Sequence, residues 1–261
     1  MRELVTNCAA CGGTIYCENG FYKGDEELGL CMECSNNVRT YTEALLQRFK
    51  EMGTEENRES MEAYMRNQFS FYGIRTPERN AALKDFVKQY GDTPLQELPS
   101  VTKLLWDEPE RECQYAALYL LSRQVKKLTL DHLPLLEELI VKKSWWDTID
   151  GIAPNLAGFI FLKHGDGGYP ERWISSEHIW LNRSAILYQL KYKDKTDEHR
   201  LFGYIRKKQD SKEFFIQKAI GWALREYSKT NPETVEDFIA NEDLEPLSER
   251  EGMKHINKIR G

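Results

Sequence analysis

The chain has 261 residues, enough to bury a full core as one or two domains. Apolar residues make up 41% and charged residues 30%, with the signs interspersed, which excludes a disordered or fibrous chain. There is no membrane-length apolar run, "MRELVTNCAACGG" lacks the apolar stretch of a signal peptide, and a net charge of −6 argues against nucleic-acid binding by the whole surface, so a cytoplasmic protein is expected.

Five of the six cysteines lie in the first 34 residues. Cys8 and Cys11 form one C-x₂-C pair, and Cys31 with Cys34 forms another after nineteen residues. Such pairs place four thiolates around a tetrahedral zinc, and Gly12 and Gly13 let the chain turn after the first pair. Disulfides are the other use of paired cysteines, but a reducing compartment favours the metal. Cys17 is either a competing ligand or a small buried hydrophobe. The stretch resembles small zinc-ribbon modules fused to bacterial enzymes. A closed four-thiolate site leaves no position for substrate, so residues 1–38 read as a structural module or an accessory contact surface, with zinc supplying most of its folding energy.

From about Tyr41 the pattern is helical. "YTEALLQRFKEM", "MEAYMRNQFSFYG", "PERNAALKDFVKQYG", "ECQYAALYLLSRQV", "LPLLEELIVKK", "SAILYQLKYK" and "FFIQKAIGWALREYSK" each repeat apolar residues at three- and four-residue spacing. Residues 39–261 are therefore expected to form an all-α domain. The helices also repeat. Aligning "RECQYAALYLL", "WWDTIDGIAPNL", "IWLNRSAILYQL" and "FFIQKAIGWALR" superposes the small residues Ala116, Gly151, Ser184 and Ala219, at separations of 35, 33 and 35. That is the period of a helical-repeat solenoid, in which small residues let neighbouring helices approach.

The residue before each small one should face the same side in every repeat. These are Tyr115, Asp150, Arg183 and Lys218: one repeat offers a carboxylate where the next two offer cations. Trp146 lies four residues before Asp150, Trp222 four after Lys218, and Arg225 three beyond Trp222, so each shares a helix face with its neighbour. Trp145, adjacent to Trp146, cannot share that face and reads as core; Asp147 reads as surface or cap. The surrounding segment is basic: between Trp180 and Lys229, twelve Lys and Arg, Lys191 among them, stand against six Asp and Glu. The acidic stretch "EDLEPLSERE" reads as a bystander.

These residues carry a resemblance. Over roughly residues 40–261 the chain resembles bacterial DNA alkylation repair glycosylases of the AlkD type, built from HEAT-like repeats. The likeness runs through "GIRTPERN", "LWDEPERECQYAAL", "LEELIVKKSWWDTID", "IWLNRSAILYQLKYK", "SKEFFIQKAIGWALREYSKTNP" and "PLSEREGMKHI". It implies hydrolysis of the N-glycosidic bond of N3- or N7-alkylated purines in double-stranded DNA, without base flipping and without a catalytic cofactor. The family's catalytic aspartate falls on Asp150, its lesion-flanking tryptophans on Trp146 and Trp222, and its groove arginine on Arg183. Tyr64 matches a tyrosine of the first repeats, and Arg225, Lys218 and Lys191 complete the expected DNA contacts. A monomer is expected. The reading from another class is a non-catalytic repeat scaffold binding DNA or protein; a carboxylate amid the basic stripe discriminates against it. Recruitment of a partner by the N-terminal module, with the repeats as spacer, is a second alternative.

Overall fold

The computed structural model describes residues 2–18, 21–22 and 24–261. They pack as two compact units, Met1–Lys127 and Leu128–Gly261.

The first unit opens with β1 (Arg2–Asn7) antiparallel to β2 (Thr14–Glu18), which pairs in turn with β3 (Phe21–Tyr22). The link from β1 to β2 is a tight knuckle: Cys8 N donates to Gly13 O at 2.7 Å and Gly12 N to Cys8 O at 2.9 Å. Gly12 adopts φ 71°, a conformation that costs glycine little. β4 (Gly24–Asp25) pairs with β5 (Leu30–Cys31), which leads directly into α1 (Met32–Met52). The side chain of Cys17 lies outside the described residues.

Within this unit α1 buries Cys34, Val38, Thr42, Leu45 and Phe49, one stripe at helical spacing. It is followed by α2 (Glu55–Tyr64), α3 (Thr76–Tyr90), α4 (Leu98–Asp107) and α5 (Arg111–Arg123). The boundary expected between residues 38 and 39 falls inside α1. The helix expected through "MEAYMRNQFSFYG" stops at Tyr64, because Arg66 and Asn67 turn to φ 56° and 54°. The next segment is tethered instead by Glu112, whose buried carboxylate accepts from the amides of Tyr72, Gly73 and Ile74 at 3.0–3.1 Å.

The second unit contains α6 (Leu133–Val141), α7 (Trp146–Ile152), α8 (Gly158–His164), α9 (Tyr169–Ile174), α10 (Ile179–Leu187), α11 (Glu198–Arg206), α12 (Phe214–Tyr227), α13 (Pro232–Asn241), α14 (Pro246–Gly252) and α15 (Lys254–Arg260). Local chemistry sets their ends. Asp197 caps α11 by accepting from Arg200 N at 3.0 Å, a contact of about 1 kcal/mol. α10 ends at Leu187, short of the expected "YQLKYK", and Lys193 turns at φ 55°.

The repeat is visible in the bonding. Polar contacts recur between residues one period apart: Glu137 with Arg172, Asp150 with Arg183, Gly158 with Tyr192, Glu171 with Tyr204, Glu198 with Asn231 and Lys218 with Glu251, at separations of 33–35. α7, α10, α12 and α14 pack successively, each on the next. Trp145, Trp180 and Phe215 mark the same period, with ring centroids 5.0–5.7 Å apart. The fold is an all-α helical repeat preceded by a small cysteine-bearing segment. No helix among the described residues is long and apolar enough to cross a membrane.

Candidate functional site

Asp150 stands near the end of a short helix with unusual limits. Lys143 turns at φ 52° ahead of α7, and Trp145 caps the helix in extended conformation. Beyond Ile152 the chain takes one π-turn, Ala153–Ala157. Pro154 is the cause: it has no N–H for the carbonyl of Asp150, four residues back, and the Asn155 side chain stands in, donating to Asp150 O at 3.5 Å and Gly151 O at 2.9 Å.

The Asp150 carboxylate meets Arg183 in a two-pronged pair, Nε to Oδ1 at 2.8 Å and Nη2 to Oδ2 at 2.9 Å. The third prong, Nη1, donates to Phe215 O at 2.5 Å. Arg183 is deeply buried because α10 is covered all round; every residue from Trp180 to Leu187 is buried. Its side chain keeps 1% of its exposure, whereas Asp150 keeps 22%. Burial pushes the Asp150 carboxyl above its ordinary value, and the Arg183 guanidinium opposes that rise.

Trp222 closes the other side of Arg183, its ring 5.1 Å from the guanidinium carbon. Lys218 Nζ lies 5.4 Å from the same ring. Lys218 is bound at 2.9 Å by Glu251 of α14, which also accepts from Lys254 at 2.7 Å and more loosely from Arg225 at 3.4 Å. Glu251 is the residue that sequence reasoning missed. Gly252 follows it 33 residues after Ala219, so it occupies the next place in the row of Asp150, Arg183 and Lys218. The spacing was the available signal.

The structure thus joins Asp150, Arg183, Trp222, Lys218 and Arg225 through direct contacts. Trp146 begins α7, half-buried, one turn before Asp150. Lys191 is exposed beside a recess of about 240 Å³ lined by Pro154, Asn155, Phe159, Leu162 and Tyr192. Tyr64 is exposed at the end of α2, in the first unit. Trp145 joins the aromatic cluster, in keeping with a packing role. Arg183 differs from the expected phosphate contact: its donors are spent on Asp150 and Phe215, and almost none of its surface reaches solvent. "EDLEPLSERE" differs too, since Glu242, Glu245 and Glu251 pair with Arg206, Lys212 and Lys218 respectively.

Cys8, Cys11, Cys31 and Cys34 converge with all sulfurs within 4.8 Å of one another. The first pair sits on the knuckle, where Gly13 N donates to Cys11 Sγ at 3.4 Å. The second pair sits at the start of α1, Cys31 as its N-cap and Cys34 in its first turn. A helix end thus presents the second pair, and its positive dipole end suits thiolates. Cys11 and Cys31 sulfurs are 3.8 Å apart, with no disulfide between them. The four thiols can hold a metal ion.

Comparison with known proteins agrees with this architecture. A solved structure described as "Predicted DNA alkylation repair enzyme from Enterococcus faecalis" is 34% identical, with a TM-score of 0.72, covering 79% of this chain and 98% of that one. No curated protein matches the chain. The family described as "DNA alkylation repair enzyme" matches residues 45–256, a span that holds the Asp150 row and leaves out the four clustered cysteines. The chain belongs to the DNA alkylation repair enzyme family.

Proposed function

We propose that this protein is a DNA glycosylase that hydrolyses the N-glycosidic bond of purines alkylated at N3 or N7 in duplex DNA, leaving an abasic site. One observation carries the reading: a partly exposed carboxylate, Asp150, is fixed in orientation by an arginine that is itself buried. A purine alkylated at N3 or N7 is already cationic, so it leaves without protonation and the reaction needs no cofactor. As the bond breaks, positive charge moves to the sugar. Asp150 stabilises that charge and orients water for attack on the sugar carbon, while Arg183 holds the carboxylate in place and opposes part of the upward push that burial gives it.

Trp146 and Trp222 offer aromatic faces to the sugar and the cationic base, contacts of about 0.5–2 kcal/mol. Lys218, Arg225, Lys191 and Tyr64 contact the DNA backbone in this reading, and Arg183 acts as a positioning residue for Asp150. The base stays in its stack. The protein acts as a monomer.

The four cysteines hold one structural zinc. Tetrahedral zinc with bonds of about 2.3 Å sets its sulfurs about 3.8 Å apart, which the Cys11–Cys31 separation fits. Residues 1–38 then form a metal-held module joined to residues 39–261 through α1.

Duplex DNA containing 7-methylguanine tests the reaction. Wild-type protein should release free base and Asp150→Asn should release it about a hundredfold or more slowly, while neither should release uracil, a neutral leaving group. Release of uracil, or full activity in Asp150→Asn, overturns the proposal. For the metal, elemental analysis should find one zinc per chain, absent from a Cys8→Ser/Cys11→Ser variant.

A further inference from the structure

We infer that Glu251 is a positioning residue for duplex binding: it gathers Lys218, Arg225 and Lys254 into one outward-facing cradle for backbone phosphate beside Trp222. The inference rests on the DNA-binding reading of the preceding subsection.

Three features carry it. Glu251 accepts from three cations that come from two places in the chain, Lys218 and Arg225 on α12 and Lys254 at the start of α15. The carboxylate is buried, with 6% of its side-chain surface left, whereas the cations keep 21%, 34% and 49%. An ordinary surface ion pair exposes both partners; here the anion lies beneath and the cations face out. Three positive charges over one negative charge leave a net surplus toward solvent, and the shared anion offsets the repulsion that would otherwise drive the cations apart.

The placement is also built into the backbone. A Cβ on Gly221 would come within 2.3 Å of the Glu251 Cβ and 2.9 Å of Ser248 O, so α14 reaches α12 only because residue 221 is glycine. Glycine within a helix costs about 1 kcal/mol relative to alanine. Here it lets the Glu251 carboxylate reach Lys218 one period away. Lys218 is thereby held at 5.4 Å from the Trp222 ring, on the same tryptophan that Arg183 approaches from Asp150.

The sign of one substitution separates positioning from bulk electrostatics. Glu251→Gln makes the protein more positive by one charge, which by itself can only strengthen binding to a polyanion. Positioning gives the opposite result. Fluorescence anisotropy with a short labelled, undamaged duplex should show Glu251→Gln binding several-fold more weakly than wild type. Its log–log salt dependence should be shallower by about 0.9 for each phosphate that the cradle no longer neutralises. Glu251→Asp should recover part of the affinity. Thermal unfolding run alongside identifies a folded variant. A folded Glu251→Gln that binds as tightly as wild type, or more tightly, overturns the inference and leaves the glycosylase reading intact; wild type that fails to bind duplex sinks both. Should Glu251→Gln not fold, ¹⁵N-lysine-labelled wild type decides. The Nζ signals of Lys218 and Lys254 should shift together on adding duplex, and unmoved signals overturn the inference.

Discussion

Asp150 and Glu251 occupy the same place in their helices three repeats apart, and their surroundings are inverted. At Asp150 the carboxylate keeps 22% of its surface over an arginine that keeps 1%; at Glu251 the carboxylate keeps 6% under cations that keep 21–49%. One pair shows solvent a negative charge and the other shows positive charge. In the glycosylase reading, a growing sugar cation meets the first and backbone phosphate meets the second. The register fixes where a charge stands, while the packing of its helix decides which partner is covered. α10 is buried on every side, which hides Arg183; α12 leaves Lys218, Trp222 and Arg225 on one open stripe.

The inversion extends to protonation. At Asp150 burial outweighs Arg183 and raises the carboxyl. At Glu251 burial acts in the same direction, but the hydrogen bonds from Lys254 and Lys218 outweigh it and hold the carboxyl at about 2. A raised carboxyl favours the fold most below its unfolded value of 3.8, and that contribution fades as pH rises through the folded value. A lowered one contributes above 4.5 and fades as pH falls toward about 2.

The largest effect should come from Arg183→Gln, which strips the buried half of the first pair. Breaking a buried ion pair costs about 3–5 kcal/mol, measurable by urea unfolding. With Arg183 gone, nothing opposes the burial of Asp150, so the acid limb of the pH–rate profile should move upward. The salt dependence of duplex binding should stay as in wild type, because the donors of this arginine are spent on Asp150 and Phe215 and its side chain keeps 1% of its exposure. Arg225→Ala should make it shallower. A shallower slope in Arg183→Gln would return that residue to the DNA interface.

Asp150→Asn comes next. It keeps the shape and removes the exposed charge, and should slow release of 7-methylguanine about a hundredfold or more, equivalent to about 2.7 kcal/mol in the barrier. Duplex binding measured in parallel should survive. In wild type, activity should fail on the acid side as Asp150 takes up its proton.

A smaller effect is expected from acid titration of stability. Between pH 4.5 and about 2 wild type should lose the contribution of Glu251, on the order of 2 kcal/mol after screening of its partly exposed cations. Urea midpoints across that window should fall less steeply in Glu251→Gln. Equal slopes would show that the second pair is not the opposite of the first. Trp222→Ala should change least: removal of a cation–π face is worth about 0.5–2 kcal/mol, roughly a 2- to 30-fold drop in base release, with duplex affinity less affected.

Much of this was legible in the sequence. The 33- and 35-residue spacing of small residues placed Asp150, Arg183 and Lys218 in one row, and the two cysteine pairs marked their cluster. The burial of Arg183 was not legible, because periodicity gives a helix its faces without saying how many are covered. "IWLNRSAIL" shows no clear polar stripe, the one hint that α10 is enclosed. Glu251 was hidden by composition: in "EDLEPLSERE" it is one acid among several, and its helix ends one residue later. The break after Tyr64 was also hidden, since Arg66 and Asn67 take positive φ without a glycine to announce it.

Gly221 gives the last repeat a mechanical role. A side chain at that point would act as a wedge between α12 and α14 and would draw Glu251 off its lysines without altering a single charge. The cradle is therefore only as accurate as the gap between two helices, and a methyl at residue 221 would meet the Glu251 Cβ at 2.3 Å, well inside carbon–carbon contact. A chain that drifted to alanine there would keep every charged residue of the row and still lose their alignment.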